Sequence, residues 1–326
     1  MKYSFNLNTF YFLLPIKIIL HSFRHVKKLV LHLKIHKYNS LINIFKILFI
    51  NIVYILPFIR NYKNKINIKK VYADENINEI CKKNINELYK IGCTTENVLH
   101  IENVNQIIKK IFFYNKENII LRKGTINKSL IIKDGESVEE YAKRLAANKI
   151  SRIVIPIDLS KSTFIKKLIM SKFNVDIAKN FLKSNRFSIS ASCHLSSSIE
   201  TTEKEKLGNA QLFHFDNDFN NFLKFYLYLT NVSFDEGPHT YINETNKIKD
   251  KEHILMRPIS DEKVMSKYIS KKTYQGSKGT YFFTDGFGIH KGEPLKKNYR
   301  MILNVHYGLE QIKYYKYDEY VNAEDK

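Results

Sequence analysis

The sequence predicts an α+β chain whose C-terminal part is mostly β, a jelly-roll or cupin-like core with helices flanking it. Three observations carry this. After residue 186, short segments rich in β-branched and aromatic residues alternate with turn signals and few helical inserts. Before it, apolar residues recur at helical spacing. The chain is 326 residues long and 44% hydrophobic, with 22 Phe and 21 Tyr, enough to bury a substantial core.

Residues 1–70 are basic and apolar together. Residues 1–73 hold 13 Lys or Arg and no acid. Leu41–Ile59 has 19 residues, the length of a bilayer span, but Lys46, Asn51 and Pro57 interrupt it and basic residues flank both ends. Residues 9–37 mix Phe, Leu and Ile with His, Lys and Arg, as a helix lying among anionic headgroups does. Lys17 splits the apolar run and no small-residue cleavage site follows, which disfavours a cleavable signal. The expectation is a helical segment at a membrane surface, a single span and a packed extension being the alternatives.

From Val71 the composition becomes ordinary, and residues 71–326 are read as one domain with its jelly-roll core at about 186–310. Asn76–Ile91 and Asn103–Phe113 have helical apolar spacing, while Ile119–Leu121 and Ser129–Ile132 read as short strands. Val138–Asn148 is a helix with acids early and bases late, matching the helix dipole. Asp158–Ser184 is helical in pieces. The strands expected afterwards are Phe187–Ser192, Ala210–Asp216, Phe222–Leu229, Thr240–Ile242, Gly279–Phe283 and Met301–Tyr307.

The net charge of +21 first points to nucleic acid or an anionic membrane. Once residues 1–73 are set aside, 40 basic and 32 acidic side chains remain, and the Lys-, Asn- and Ile-rich composition accounts for that excess. No zinc-finger spacing, RNP-like motif or Arg-rich run supports a nucleic-acid partner. Cys81, Cys93 and Cys193 are an odd number with no CxxC pair, so a reducing, cytoplasmic setting is expected, peripheral to a membrane if the N-terminal reading holds.

The most informative stretch is Ala210–Asp216 (AQLFHFD). In a strand, residues two apart share a face, so His214 and Asp216 project together while Phe215 points the other way. One imidazole and one carboxylate on a shared face are two ligands for a divalent metal. His290, after the strand Gly279–Phe283 and a Gly-rich turn, is placed to be the third. Two His and one carboxylate leave coordination positions open for a chelating cosubstrate and O2. Arg300, ten residues further on, offers a forked cation for a dicarboxylate such as 2-oxoglutarate, which Lys cannot copy.

At these residues the chain resembles the phytanoyl-CoA dioxygenase family of Fe(II)/2-oxoglutarate oxygenases. The similar stretches are Gln211–Asp216, Phe222–Tyr241 and Gly279–Gly308, and more weakly Tyr89–Ile111; the resemblance spans roughly residues 75–310. It implies a double-stranded β-helix with external helices, with Fe(II), 2-oxoglutarate and O2 as cofactor and cosubstrates. By position it implies iron ligands at His214, Asp216 and His290, and a 2-oxoglutarate clamp at Arg300. Tyr226 falls on the strand that lines the cosubstrate pocket, core packing being the other reading. Lys224 is expected at the solvent rim, with a second cationic contact to the cosubstrate as its alternative. Gly292 matches a glycine where a side chain would crowd the turn.

The chain departs from the family at Glu244-Thr245-Asn246, where a Gly-Ser-His-like triplet is common, which puts the substrate class in doubt. His239 reads as a turn or rim residue and His194 as structural. Because Asp216 is present, hydroxylation rather than halogenation is implied. A small-molecule, lipid or glycan-linked substrate fits. The alternative is a catalytically silent, cupin-like metal- and ligand-binding protein at a membrane surface.

Overall fold

The computed structural model describes residues 77–114, 119–120, 130–216, 222–247, 253, 258–309 and 319–322. In chain order its elements are α1 (Glu79–Ile91), β1 (Asn97–Val98), α2 (Ile101–Tyr114), α3 (Val138–Ala147), β2 (Arg152–Pro156), α4 (Thr163–Ile169), α5 (Lys172–Leu182), β3 (Arg186–Ser197), α6 (Glu203–Gly208), β4 (Phe222–Tyr228), β5 (His239–Ile242), α7 (Asp261–Lys267), β6 (Lys271–Tyr274), β7 (Thr280–Asp285), β8 (His290–Gly292), β9 (Tyr299–Gly308) and β10 (Glu319–Asn322). All lie in one unit, Lys69–Ile248 with Pro258–Lys326. The expectations for residues 1–70 fall outside the described residues. Among those described, no helix is long and apolar enough to cross a membrane.

The helices begin and end where local chemistry dictates. The Asn78 side chain accepts from the Ile80 N–H to open α1, and Gly92 closes it in the left-handed conformation at φ 86°. α1 then buries Cys81, Ile85 and Leu88 on one face. Ser137 and Glu140 form a reciprocal capping box at the start of α3. The region expected to be helical in pieces is α4 and α5, restarted by the Ser171 cap.

Among the described residues, ten strands build two antiparallel sheets. The larger has the order β1-β7-β4-β9-β3-β10, with β2 also on β3. β3 is its seam: β9 follows it from Ser188↔Gly308 to Ser197↔Tyr299, while β2 and β10 share its other edge. The smaller sheet runs β6-β5-β8. Alternation gives the large sheet two unlike faces. Phe187, Ile189, Cys193 and Leu195 of β3, Leu223, Phe225 and Leu227 of β4, and Leu303, Val305 and Tyr307 of β9 join the helices in the main apolar core. Tyr226, Tyr228, Phe282 and Ile302 point the other way and meet Tyr241 and Tyr274 of the small sheet.

Several boundaries differ from expectation. Ser129–Ile132 is not a strand where described: Leu130 and Ile132 are buried, but the Leu130 carbonyl accepts from the Tyr141 hydroxyl and that of Ile131 from Arg144. Side chains there do what a neighbouring strand would have done. Ile120 makes only a single bridge, to Val154. Ala210–Asp216 is not a regular strand either; it is held by isolated bridges at Phe213 and His214 and by single backbone hydrogen bonds at Ala210 and Asp216. β2, β6, β10, α6 and α7 were not anticipated; each is short, and the strands among them are identified by what they pair with.

Candidate metal centre

His214 and His290 face each other across an antiparallel bridge, each backbone N–H donating to the other's carbonyl at 2.9 and 2.8 Å. The Asp216 N–H donates to the Gly286 carbonyl at 2.9 Å, docking the same segment on the turn before β8. The period-two expectation therefore holds in outcome without a full strand: one ligand-type atom from each of His214, Asp216 and His290 lies within 4.8 Å of the others.

The protonation pattern follows from partners. Nδ1 of His214 lies 2.8 Å from the Leu212 carbonyl, and Nδ1 of His290 lies 2.9 Å from the Gly288 carbonyl. A carbonyl only accepts, so both Nδ1 atoms carry a proton and Nε2 is the ring nitrogen left to ligate. Those Nε2 atoms are 3.7 and 3.5 Å from the Asp216 carboxylate oxygens. Two imidazoles oriented by backbone carbonyls, beside an ionised carboxylate, form a donor set for a divalent cation. Burial alone would push the Asp216 carboxyl up, but Lys224 and then His290 outweigh it and hold it well below the usual carboxylate range.

Lys224 is not at the solvent rim. It is 7% exposed and its ammonium forms an ion pair with Asp216. The reason is β4's position: it lies between β7 and β9, so every residue of it is buried whichever face it takes. Tyr226, two residues on, shares the Lys224 face. It stacks on Phe282 at 5.3 Å and lies 4.6 Å from the His239 ring, so it packs and lines the site together. His239 is likewise no rim residue. It is buried, its ring centroid is 5.4 Å from that of His290, and its Nε2 has no hydrogen-bond partner among the described residues. Burial, then the neighbouring His290, lowers its pKa well below the usual histidine value.

Arg300 stands on β9 opposite Ser196. It is 7% exposed, makes no ion pair among the described residues, and its Nε and Nη1 have no hydrogen-bond partner there. Burial lowers its pKa from 12.5 to about 10. A buried guanidinium with two unspent donors is a receptor for an anion. Gly292 explains itself beside it: a Cβ there would lie 3.1 Å from Arg300 Nη2.

Three further residues of this inner face escaped the sequence reading. Counting by two from Arg300 along β9 reaches Asn304 and His306, so the period that grouped His214 with Asp216 could have found them. Arg152 had no such signal, because β2 reaches the site only through its pairing with β3.

No family model matches the chain, and no curated protein does. Solved structures do. The chain is similar to the non-heme alpha-ketoglutarate-dependent carbocyclase SnoK from nogalamycin biosynthesis, at 13% identity and a TM-score of 0.48, over 72% of this chain and 85% of that one. It is similar to EctD from S. alaskensis with bound Fe, at 12% identity and a TM-score of 0.47, over 73% and 81%. It is also similar to HygX from Streptomyces hygroscopicus with iron bound, at 10% identity and a TM-score of 0.45, over 72% and 88%.

Proposed function

We propose that this protein is an Fe(II)- and 2-oxoglutarate-dependent oxygenase of the phytanoyl-CoA dioxygenase type, hydroxylating a C–H bond of a small-molecule, lipid or glycan-linked substrate. One observation carries the reading: a His-Asp-His donor set, both Nε2 atoms within 3.7 Å of the carboxylate, lies beside a buried arginine that has no anion among the described residues. Two facing antiparallel sheets with the site between them fit the double-stranded β-helix expected from the sequence.

In this reading His214, Asp216 and His290 hold the iron, and Arg300 holds the distal carboxylate of 2-oxoglutarate through a forked contact. When bound, iron and 2-oxoglutarate supply the reduction of O2, coupled to loss of CO2 and formation of succinate. The chain's own part is orientation and exclusion of water. The Leu212 and Gly288 carbonyls hold the two imidazoles in the ligating tautomer. Gly292 leaves room for the Arg300 fork, and Tyr226, Phe282 and His239 pack ring to ring beside His290. Lys224 balances the Asp216 charge before a cation arrives.

Lys224 also favours a second reading, a protein that binds metal or ligand without turnover, because its ammonium competes for the carboxylate a cation needs. Anaerobic Fe(II) with 2-oxoglutarate should give the weak visible charge-transfer band in the wild type and not in His214→Ala, and air should then release succinate. No band in the wild type, or its survival in His214→Ala, defeats the oxygenase reading. A band without succinate selects the silent binder.

A further inference from the structure

On the same inner face, one strand from the metal cluster, three polar side chains hold unspent hydrogen-bonding capacity. Asn304 Nδ2 and His306 Nε2 are 3.2 Å apart. With the amide donating, His306 carries its proton on Nδ1. Both His306 Nδ1 and Asn304 Oδ1 are then buried with no partner among the described residues, one a donor and the other an acceptor. Flipping the amide exchanges these roles and still leaves one of each.

Ser192 completes the set. It is the register partner of Asn304, so the two side chains share a face. Arg152 donates to His194 Nδ1 at 2.7 Å, and arginine cannot accept. His194 therefore carries its proton on Nε2 and donates it to Ser192 Oγ at 3.0 Å. That fixes the direction of the chain and leaves the Ser192 hydroxyl proton to be offered onward. Of the cations nearby, Arg152 donates to His194 and the Asn209 carbonyl, Lys224 pairs with Asp216, and Arg300 is the one assigned to 2-oxoglutarate. Burial keeps both histidines neutral, His306 with a pKa of about 3.

We infer that the substrate presents an uncharged group that both donates and accepts hydrogen bonds, a hydroxyl or a carboxamide, to Ser192, Asn304 and His306. This rests on the oxygenase reading, since it names the substrate of the same site. A wholly aliphatic chain placed here would strand three buried polar groups, and a carboxylate, which only accepts, would leave the unpartnered acceptor of the Asn304–His306 pair unanswered. Lys224 is the register partner of His306 and reaches Asp216, so a group bound here lies one strand from the metal donors.

The test uses the full chain with Zn(II) and 2-oxoglutarate and four probes in saturation-transfer NMR: xylitol, succinamide, butyrate and butylamine. Xylitol or succinamide should bind the wild type and lose at least tenfold in affinity in Asn304→Leu and in Ser192→Ala; which of the two binds separates hydroxyl from carboxamide. The Ser192→Ala and Asn304→Leu proteins should keep the wild-type response to 2-oxoglutarate, because neither side chain touches the metal donors or Arg300. Binding of only the charged probes, no binding of a neutral one, undiminished affinity in both variants, or an equal loss of 2-oxoglutarate binding in them overturns the inference. The iron charge-transfer band of the wild type reports the oxygenase reading separately, so a band without neutral-probe binding sinks this inference alone.

Discussion

Replacing Arg300 by Met separates a receptor arginine from a structural one. The guanidinium is 7% exposed, with Nε and Nη1 unpaired among the described residues. Burial takes its pKa from 12.5 to about 10. At about 1.4 kcal/mol per pKa unit, that is a cost of about 3 kcal/mol to the folded state. The sign is against folding at neutral pH, since the side chain is charged both folded and unfolded and only the folded chain desolvates it. Met keeps most of the aliphatic stem and removes the charge. Ligand-free Arg300→Met should therefore unfold at equal or higher denaturant and gain up to several degrees in Tm, at about 2–4 °C per kcal/mol for a domain of this size. In contrast, two charge-assisted hydrogen bonds of about 1.5–3 kcal/mol each should vanish from 2-oxoglutarate binding, a loss of about 100- to 10,000-fold in affinity. The assay is denaturant and thermal unfolding of both proteins, metal-loaded, across a 2-oxoglutarate titration. A large loss of ligand-free stability, or an undiminished 2-oxoglutarate-dependent rise in Tm, would refute the reasoning.

Other changes should act through single contacts. Gly292→Ala places a methyl 3.1 Å from Arg300 Nη2 and should weaken 2-oxoglutarate about tenfold while sparing metal affinity, read by titrating each separately. Gly288→Ala drives a methyl into the Tyr241 hydroxyl in a packed region and should cost about 1–3 kcal/mol, measured by urea unfolding. His194, His239 and His306 have folded pKa values below the usual 6.5, so the unfolded chain binds protons first as pH falls. Their contribution is intact above about pH 6.5 and is lost below it, by up to about 1.4 kcal/mol per pH unit for each histidine. For His306 the window runs down to about pH 3. A urea midpoint that stays flat from pH 7.5 to 5 would contradict this.

What the sequence by itself determined was local or periodic. The helices α1 and α2 came from apolar spacing, α3 from acids early and bases late, and β4, β7 and β9 from β-branched and aromatic runs. His214 and Asp216 were grouped by a spacing of two, and Arg300 by the charge a dicarboxylate demands; the structure brings His290 to that pair and leaves Arg300 buried without an anion among the described residues. What only tertiary structure decided depended on which strands become neighbours. Lys224 and His239 look like surface residues along the chain, and are buried because β4 lies inside the large sheet and β5 faces it. The tautomers of His214 and His290 follow from carbonyls two residues away, whose direction is set by the bridge between two segments 76 residues apart in sequence. Register places Ser192 beside Asn304, and pairing with β3 brings Arg152 to His194. Chain-local physics sets which face a side chain takes, and only the closed sheets settle what that face meets.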